Sequence, residues 1–159
     1  MGYEIERKFL VDGDYKSHAF KSFLIRQGYL SLSGISVIRV RIKGEKAFVT
    51  IKSALAEGKI KRHEWEYEIP VADAEEMLQL CEEGVIDKRR HLVQAGQHTF
   101  EVDEFYGQNE GLLIAEVELE SEDEPFEKPE WLGPEVTGNV RYYNSFLSIH
   151  PYTEWSKGS

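Results

Sequence analysis

The chain has 159 residues, 41% of them hydrophobic and 12% aromatic, which suits one globular domain with a sizeable core and excludes a disordered polypeptide. Its formal net charge of −10 argues against a general nucleic-acid binder, because the bulk field repels a phosphate backbone, yet it leaves room for a small basic pocket. The single cysteine, Cys81, excludes an internal disulfide and a zinc–thiolate cluster and points to a reducing cytoplasm.

Strand-like alternation begins at once. In "YEIERKFL", residues 3–10, Glu4, Glu6 and Lys8 fall on one side of an extended chain and Ile5, Arg7 and Phe9 on the other. No apolar leader precedes this segment, and no later run approaches the roughly 20 apolar residues of a membrane span, so neither secretion nor a membrane is expected. Residues 14–22 are read as helical. Strands follow at 24–32 ("LIRQGYLSL"), 36–43 ("SVIRVRIK"), 46–53 ("KAFVTIKS") and 62–70 ("RHEWEYEIP"). A helix comes next, with Asp73 and Glu76 as a capping box, Met77, Leu78 and Cys81 as its apolar stripe and Gly84 as its stop. Strands at 86–94, 98–105 and 112–120 bring the number to eight. Residues 121–136, rich in Glu and Pro, read as a loop with one helical turn near Trp131. Thr137 then caps a C-terminal helix that runs to about Ile149 and halts at Pro151. With no repeat and no low-complexity linker, residues 1–159 are read as a single domain. It is mainly β with flanking α, an antiparallel sheet or barrel.

The charges on these strands are segregated by face. "KGEK" gives an even-length turn that pairs Ile42 with Ala47, sets Arg41 across from Phe48 and Arg39 across from Thr50, and so gathers Arg39, Arg41 and Lys52. "VQAGQH" is read as turning at Ala95-Gly96, which sets Lys88 across from Asp103 and Arg90 across from Glu101. Glu64, Glu66 and Glu68 form one acidic row, and Glu116, Glu118 and Glu120 another. A water-facing sheet explains charged rows in general, but three like charges in succession repel one another there. Acidic and basic rows kept apart look like two halves of a site, with the apolar rows outside under helices and loops.

An inward charged lumen is expensive unless a ligand or metal neutralises it. Lys8, Arg39, Arg41, Lys52 and Arg90 offer donors for phosphate oxygens, and Glu4, Glu6, Glu116 and Glu118 offer hard oxygen ligands for Mg²⁺ or Mn²⁺. Cations for phosphate beside carboxylates for a divalent ion is the equipment of phosphoryl transfer. There is no Walker loop or glycine-rich cradle, so side chains must grip the phosphates. His63, His91 and His98 lack a trustworthy metal spacing and read as surface or packing residues. Trp65, Trp131 and Trp155 read as outer packing or tail contacts, and Cys81 as core.

"EIERK" resembles the ExExK signature of the CYTH domain superfamily, the triphosphate tunnel metalloenzymes. "RVR" at 39–41, "TIK" ending at Lys52, "EWE" at 64–66, "KRR" at 88–90, "EVD" at 101–103, "EVE" at 116–118 and "RYYN" at 141–144 follow in that family's order, over almost the whole chain. The resemblance implies an eight-stranded antiparallel β-barrel forming a tunnel, with helices packed outside and a C-terminal helix, that hydrolyses or cyclises a triphosphate with a divalent metal. It implies Glu4, Glu6 and Glu118 as metal ligands with Glu116 close by, and Lys8, Arg39, Arg41, Lys52 and Arg90 as phosphate-binding residues. Glu64, Glu66 and Asp103 support them. In the short bacterial members, which this chain resembles, a lysine at the Lys88 position pairs with a tyrosine in "RQGYL", here Tyr29, to activate water. Neighbouring cations would depress the Lys88 pKa for that role, and Asp103 would oppose it. Two departures stand out: Tyr143 sits where relatives often carry a basic residue, and Arg89 points away from Lys88.

The leading expectation is hydrolysis of inorganic tripolyphosphate. A class IV-type adenylate cyclase, a thiamine triphosphatase and a non-catalytic polyphosphate or nucleotide binder are the competing readings. A lipocalin-like barrel for an apolar ligand is set aside because of the inward glutamates. The expected partner is a small-molecule triphosphate, with no nucleic acid and no membrane, and a homodimer is left open.

Overall fold

Segments in which apolar and charged residues alternate pair as antiparallel strands, because each then has one face to bury and one row of charges to match with its neighbours. The computed structural model describes residues 2–31, 36–53, 61–81 and 84–157, and the side chains of residues 2–4, 61–62 and 156–157 lie outside that description. Nine strands follow the chain: β1 (Gly2–Val11), β2 (Ala19–Ser31), β3 (Ser36–Lys43), β4 (Lys46–Ser53), β5 (Lys61–Ile69), β6 (Ile86–Ala95), β7 (His98–Phe105), β8 (Leu113–Glu118) and β9 (Leu132–Glu135). They form one antiparallel ladder in the order β5-β4-β3-β2-β6-β7-β8-β1-β9. β1 also pairs with β5, from Gly2↔Glu64 to Ile5↔Lys61, so the ladder curls round to meet its own first strand. The eight expected strands are all present about a common interior. Leu32, the expected end of the second, lies outside the described residues.

The β3–β4 hairpin has the register read from the sequence, Ile42↔Ala47, Arg41↔Phe48 and Arg39↔Thr50, with Gly44 at φ +60 opening the two-residue turn. The β6–β7 hairpin departs from expectation by two residues. Its turn is Gly96-Gln97, with Ala95↔His98, because the first central position needs φ above zero and Gly96 at +62 supplies it where Ala95 would be strained. Arg90 therefore faces Asp103, Leu92 faces Glu101 and Lys88 faces Phe105.

Three further expectations are corrected. Residues 14–22 hold only a 3₁₀ turn at Lys16–His18, after which β2 begins at Ala19, five residues early. The loop 121–136 contains β9, an edge strand pairing Val11↔Leu132 and Phe9↔Glu135. Gly133 makes this possible, since a Cβ there would stand 2.9 Å from the Leu10 carbonyl oxygen, and an edge strand tolerates Pro134. The C-terminal helix is short. Thr137 accepts the Lys8 backbone N–H instead of capping a helix, Gly138 turns the chain at φ +80, and α2 spans only Asn144–Ile149. The other helix, α1 (Val71–Leu78), starts after Pro70, so Asp73 lies in its first turn without capping it. It also ends well before Gly84.

The apolar rows face outward and are covered. Ile5, Phe9, Val93, Phe100, Val102, Ala115 and Val117 pack under Tyr15 and Trp131, with Phe126 against them. α1 lays Ala74 and Leu78 on Val40 and Ala47. Its approach requires Gly28, where a Cβ would stand 2.5 Å from Cys81 Sγ. One end of the interior is apolar as well: Ile86, Phe105 and Ile114, in the same rows as Lys88, Asp103 and Glu116, meet Leu147 of α2. Among the described residues no helix is long and apolar enough to cross a membrane.

Candidate active site

The charged rows point inward, into one cavity of about 220 Å³. Its wall includes the cations Lys8 from β1, Arg39 and Arg41 from β3, Lys52 from β4 and Arg90 from β6. The acids Glu6, Glu64, Glu66, Glu116 and Glu118 line the same space, as does Tyr29. Lys88 is wholly buried just behind this wall, its Nζ donating to Asn144 Oδ1 at 2.9 Å, and Asn144 lines the cavity.

Among the described residues, the ion pairs of this wall fall into two groups by length. Lys8 Nζ lies 3.9 Å from Glu116, Lys52 Nζ 3.5 Å from Glu64, and Arg39 Nη2 3.8 Å from Glu66. These separations exceed a charge-assisted hydrogen bond of about 2.7–2.9 Å, so the pairs are loose. Arg90 by contrast grips Asp103 through two bonds of 2.8 and 2.9 Å, and Lys88 Nζ lies 2.7 Å from the same carboxylate. Arg90 also reaches Glu101 at 3.2 Å. The tight set is a fixed scaffold, and the loose set can exchange an acid for a phosphate oxygen. Arg39 Nε is buried with no hydrogen-bond partner among the described residues. An orphaned donor of this kind costs about 1–3 kcal/mol, which an incoming anion relieves.

Burial pushes the Lys88 amine down to about 7 against the pull of Asp103, with Arg90 and Arg41 lowering it further. Burial opposes ionisation of Asp103, but Arg90 and Lys88 overcome it and hold the carboxyl at about 2. Arg41, half-buried in the wall, is lowered to about 9 by loss of water and by Arg39 and Arg90, and stays a cation at neutral pH. Glu116 is held well below the usual carboxylate range: burial works the other way, but Lys8, a hydrogen bond with Glu6 and Arg90 outweigh it.

That Glu6–Glu116 contact bears on metal binding. Two carboxyl groups share a hydrogen bond only through a proton, and a hard divalent cation satisfies the same oxygens with more charge. Glu118 stands directly across from Glu6 in the β1–β8 register. Among the described residues no three acid, histidine or cysteine side chains converge into a metal-holding group. Magnesium-type sites need only one or two carboxylates, with water and substrate phosphate completing the shell. Glu6 and Glu116 could supply that pair, with Glu118 lining the same cavity. The backbone of Glu4 is on β1, but its side chain lies outside the described residues.

Two wall or near-wall residues are given no role in the sequence reading: Gln27 links Arg41 to Tyr29, and Asn144 bonds Lys88. Tyr143, a departure from the family pattern, places its ring 5.1 Å from Lys8 Nζ. Gln27 shares strand parity with Tyr29, which is the one signal that marks it in sequence. The histidines stay outside: His91 pairs with Glu104, His98 with Glu124, and His63 stacks on Trp65. Arg89 donates to Ser22 on the outer face.

The sequence pattern of the CYTH domain matches residues 2–144. The chain belongs to the CYTH domain family. An inorganic triphosphatase of Acetivibrio thermocellus is 50% identical over 159 residues, 99% of this chain and all of that protein. An inorganic triphosphatase of Nitrosomonas europaea is 38% identical over 151 residues, 92% of this chain and 97% of its own. Among solved CYTH-like structures, an inorganic triphosphatase superposes with a TM-score of 0.68 at 34% identity, over 94% of this chain and 96% of its own. A Hippeastrum protein, described as a putative adenylyl cyclase with a dominant triphosphatase activity, superposes at 0.59 over 74% of this chain and 80% of its own. At 15% identity it shows likeness of fold alone.

Proposed function

We propose that this CYTH protein is a triphosphatase that hydrolyses inorganic tripolyphosphate with Mg²⁺ or Mn²⁺, in the cytoplasm. The observation that carries the proposal is the convergence of Lys8, Arg39, Arg41 and Lys52 with Glu6, Glu116 and Glu118 around a single cavity of about 220 Å³. Ordinary ligand pockets hold roughly 300–1,000 Å³ and are mostly apolar. A small, mostly charged one suits a compact polyanion better than a nucleoside. The two relatives named inorganic triphosphatase support the same reading.

The chain's own residues divide the work. Lys8, Lys52 and Arg39 trade loose acid partners for phosphate oxygens, and Arg41 adds a fixed cation. Glu6, Glu116 and Glu118, with Glu4, would hold the divalent ion, which supplies neutralisation of the charge that builds on phosphate oxygens as the anhydride breaks. Lys88 is the base. A neutral amine keeps one lone pair; Lys88 Nζ donates to Asn144 and lies 2.7 Å from Asp103 Oδ2, and the lone pair takes the proton of the attacking water. The proton passes from water to Nζ, the water oxygen bonds the terminal phosphorus, and the P–O anhydride bond breaks with its electrons on the departing pyrophosphate. Tyr29, in the wall, assists this step. Arg90 holds Asp103 in place.

The test is a substrate panel with purified protein: phosphate release from tripolyphosphate, ATP and thiamine triphosphate, with Mg²⁺ or Mn²⁺, and detection of cyclic AMP. Preferred turnover of tripolyphosphate is expected. No phosphate from any of the three sinks the proposal, and cyclic AMP as the main product replaces it with cyclisation.

A further inference from the structure

Gln27 is wholly buried, uncharged, and two residues before Tyr29 on the inward face of β2. The register sets it directly across from Arg41, and sets Tyr29 across from Arg39. Arg41 Nε donates to Gln27 Oε1 at 2.7 Å, and Gln27 Nε2 donates to the Tyr29 hydroxyl oxygen at 3.2 Å. Chemistry fixes the direction of this relay. A guanidinium only donates, so the amide must give Arg41 its oxygen, and the NH₂ group is what remains for Tyr29. The tyrosine oxygen accepts from that group, so its own O–H is directed away from Gln27. Both Arg41 and Tyr29 line the cavity.

We infer that Gln27 is a positioning residue that sets Tyr29 as a hydrogen-bond donor to the bound triphosphate. The inference rests on the reading of Tyr29 as catalytic and sharpens it: Lys88 receives the proton of water, while Tyr29 donates to a phosphoryl oxygen whose charge grows as the bond breaks. One amide also braces Arg41, so the grip on substrate and the polarity of the tyrosine depend on the same side chain. Had Gln27 been a carboxylate, it would accept from both neighbours and the tyrosine O–H would point back at it.

Q27E makes that reversal with almost no change of shape. Arg41 keeps its partner, so KM for tripolyphosphate stays within about threefold of wild type, while kcat falls by about 10-fold or more, to the level of Y29F. Because the two residues act as one unit, the Q27E/Y29F double variant is no slower than Y29F alone. If Q27E does not fold, Q27M also lacks the NH₂ group, and its double with Y29F shows the same non-additivity. Q27E at wild-type kcat beside a slow Y29F, or losses that multiply in the double variant, overturns this inference alone. Y29F at wild-type kcat overturns the assignment of Tyr29 and this inference with it, and leaves the triphosphatase reading standing.

Discussion

Lys88 Nζ lies 2.7 Å from Asp103 Oδ2, and both groups are wholly buried. Beside an isolated aspartate a lysine would stay charged. Here Asp103 is already neutralised by the two-bond grip of Arg90, so one negative charge faces two cations away from bulk solvent. Burial then wins, and the amine falls to about 7. The register of the β6–β7 hairpin decides this, because it gives Asp103 to Arg90 across the ladder and leaves Lys88 on the diagonal.

The first consequence is a pH profile. A base must be neutral, so kcat/KM for tripolyphosphate should rise with pH through a limb centred near 7, the value for Lys88 in the free protein. Arg90 lowers that value, so in R90M the limb moves to higher pH. A limb that stays put or moves down in R90M contradicts the account of what holds Lys88 neutral.

The same carboxylate stabilises the fold. In D103N a buried Arg90 loses its two-bond partner and keeps only Glu101 at 3.2 Å, which costs about 3 kcal/mol by urea unfolding near neutral pH. The sign in acid follows from the direction of the shift. Asp103 is depressed to about 2, so its contribution is present above the ordinary aspartate range and is lost as pH falls toward 2. D103N should lack that part of the acid limb, and an unchanged limb speaks against a buried charged Asp103.

Arg39 tests the phosphate grip. R39K keeps the charge and removes the buried Nε donor that has no partner among the described residues. KM for tripolyphosphate should rise about 10-fold, the worth of one charge-assisted hydrogen bond, with little change in thermal stability. An unchanged KM removes Arg39 from the substrate contacts.

Glu6 tests the metal site without turnover. Mn²⁺ titrated into the substrate-free protein and followed by electron paramagnetic resonance should bind at least about 10-fold more weakly to E6Q, because one of two contacting carboxylates is gone. Equal affinity in wild type and E6Q removes Glu6 from the ligand set.

The parts legible in sequence were those governed by strict period two and a short turn. Arg39, Arg41 and Lys52 could be placed together because the β3–β4 turn is even in length and its register then follows without choice. The β6–β7 turn was equally short, but the position of its glycine within the loop shifts the register by two residues, and that shift moves Asp103 from Lys88 to Arg90. β9 was hidden because Gly133 and Pro134 weaken any strand signal, and what fixes the segment is the close approach to β1. Asn144 reaches Lys88 only because Leu147 anchors α2 among Ile86, Phe105 and Ile114, a tertiary fact with no local signature. Gln27 carries little signal in sequence, a neutral amide among charged rows, although it sits on the same face as Tyr29.

The most direct test of a lumen built for a triphosphate is a crystal structure of the inactive K88M variant with tripolyphosphate and Mn²⁺. The expected result is one polyphosphate chain inside the barrel, its oxygens on Lys8, Arg39, Arg41 and Lys52, with an anomalous manganese peak beside Glu6 and Glu116. Polyphosphate bound only on the outer surface, with Lys8, Arg39 and Lys52 still paired to their acids and Arg41 still on Gln27, would contradict it.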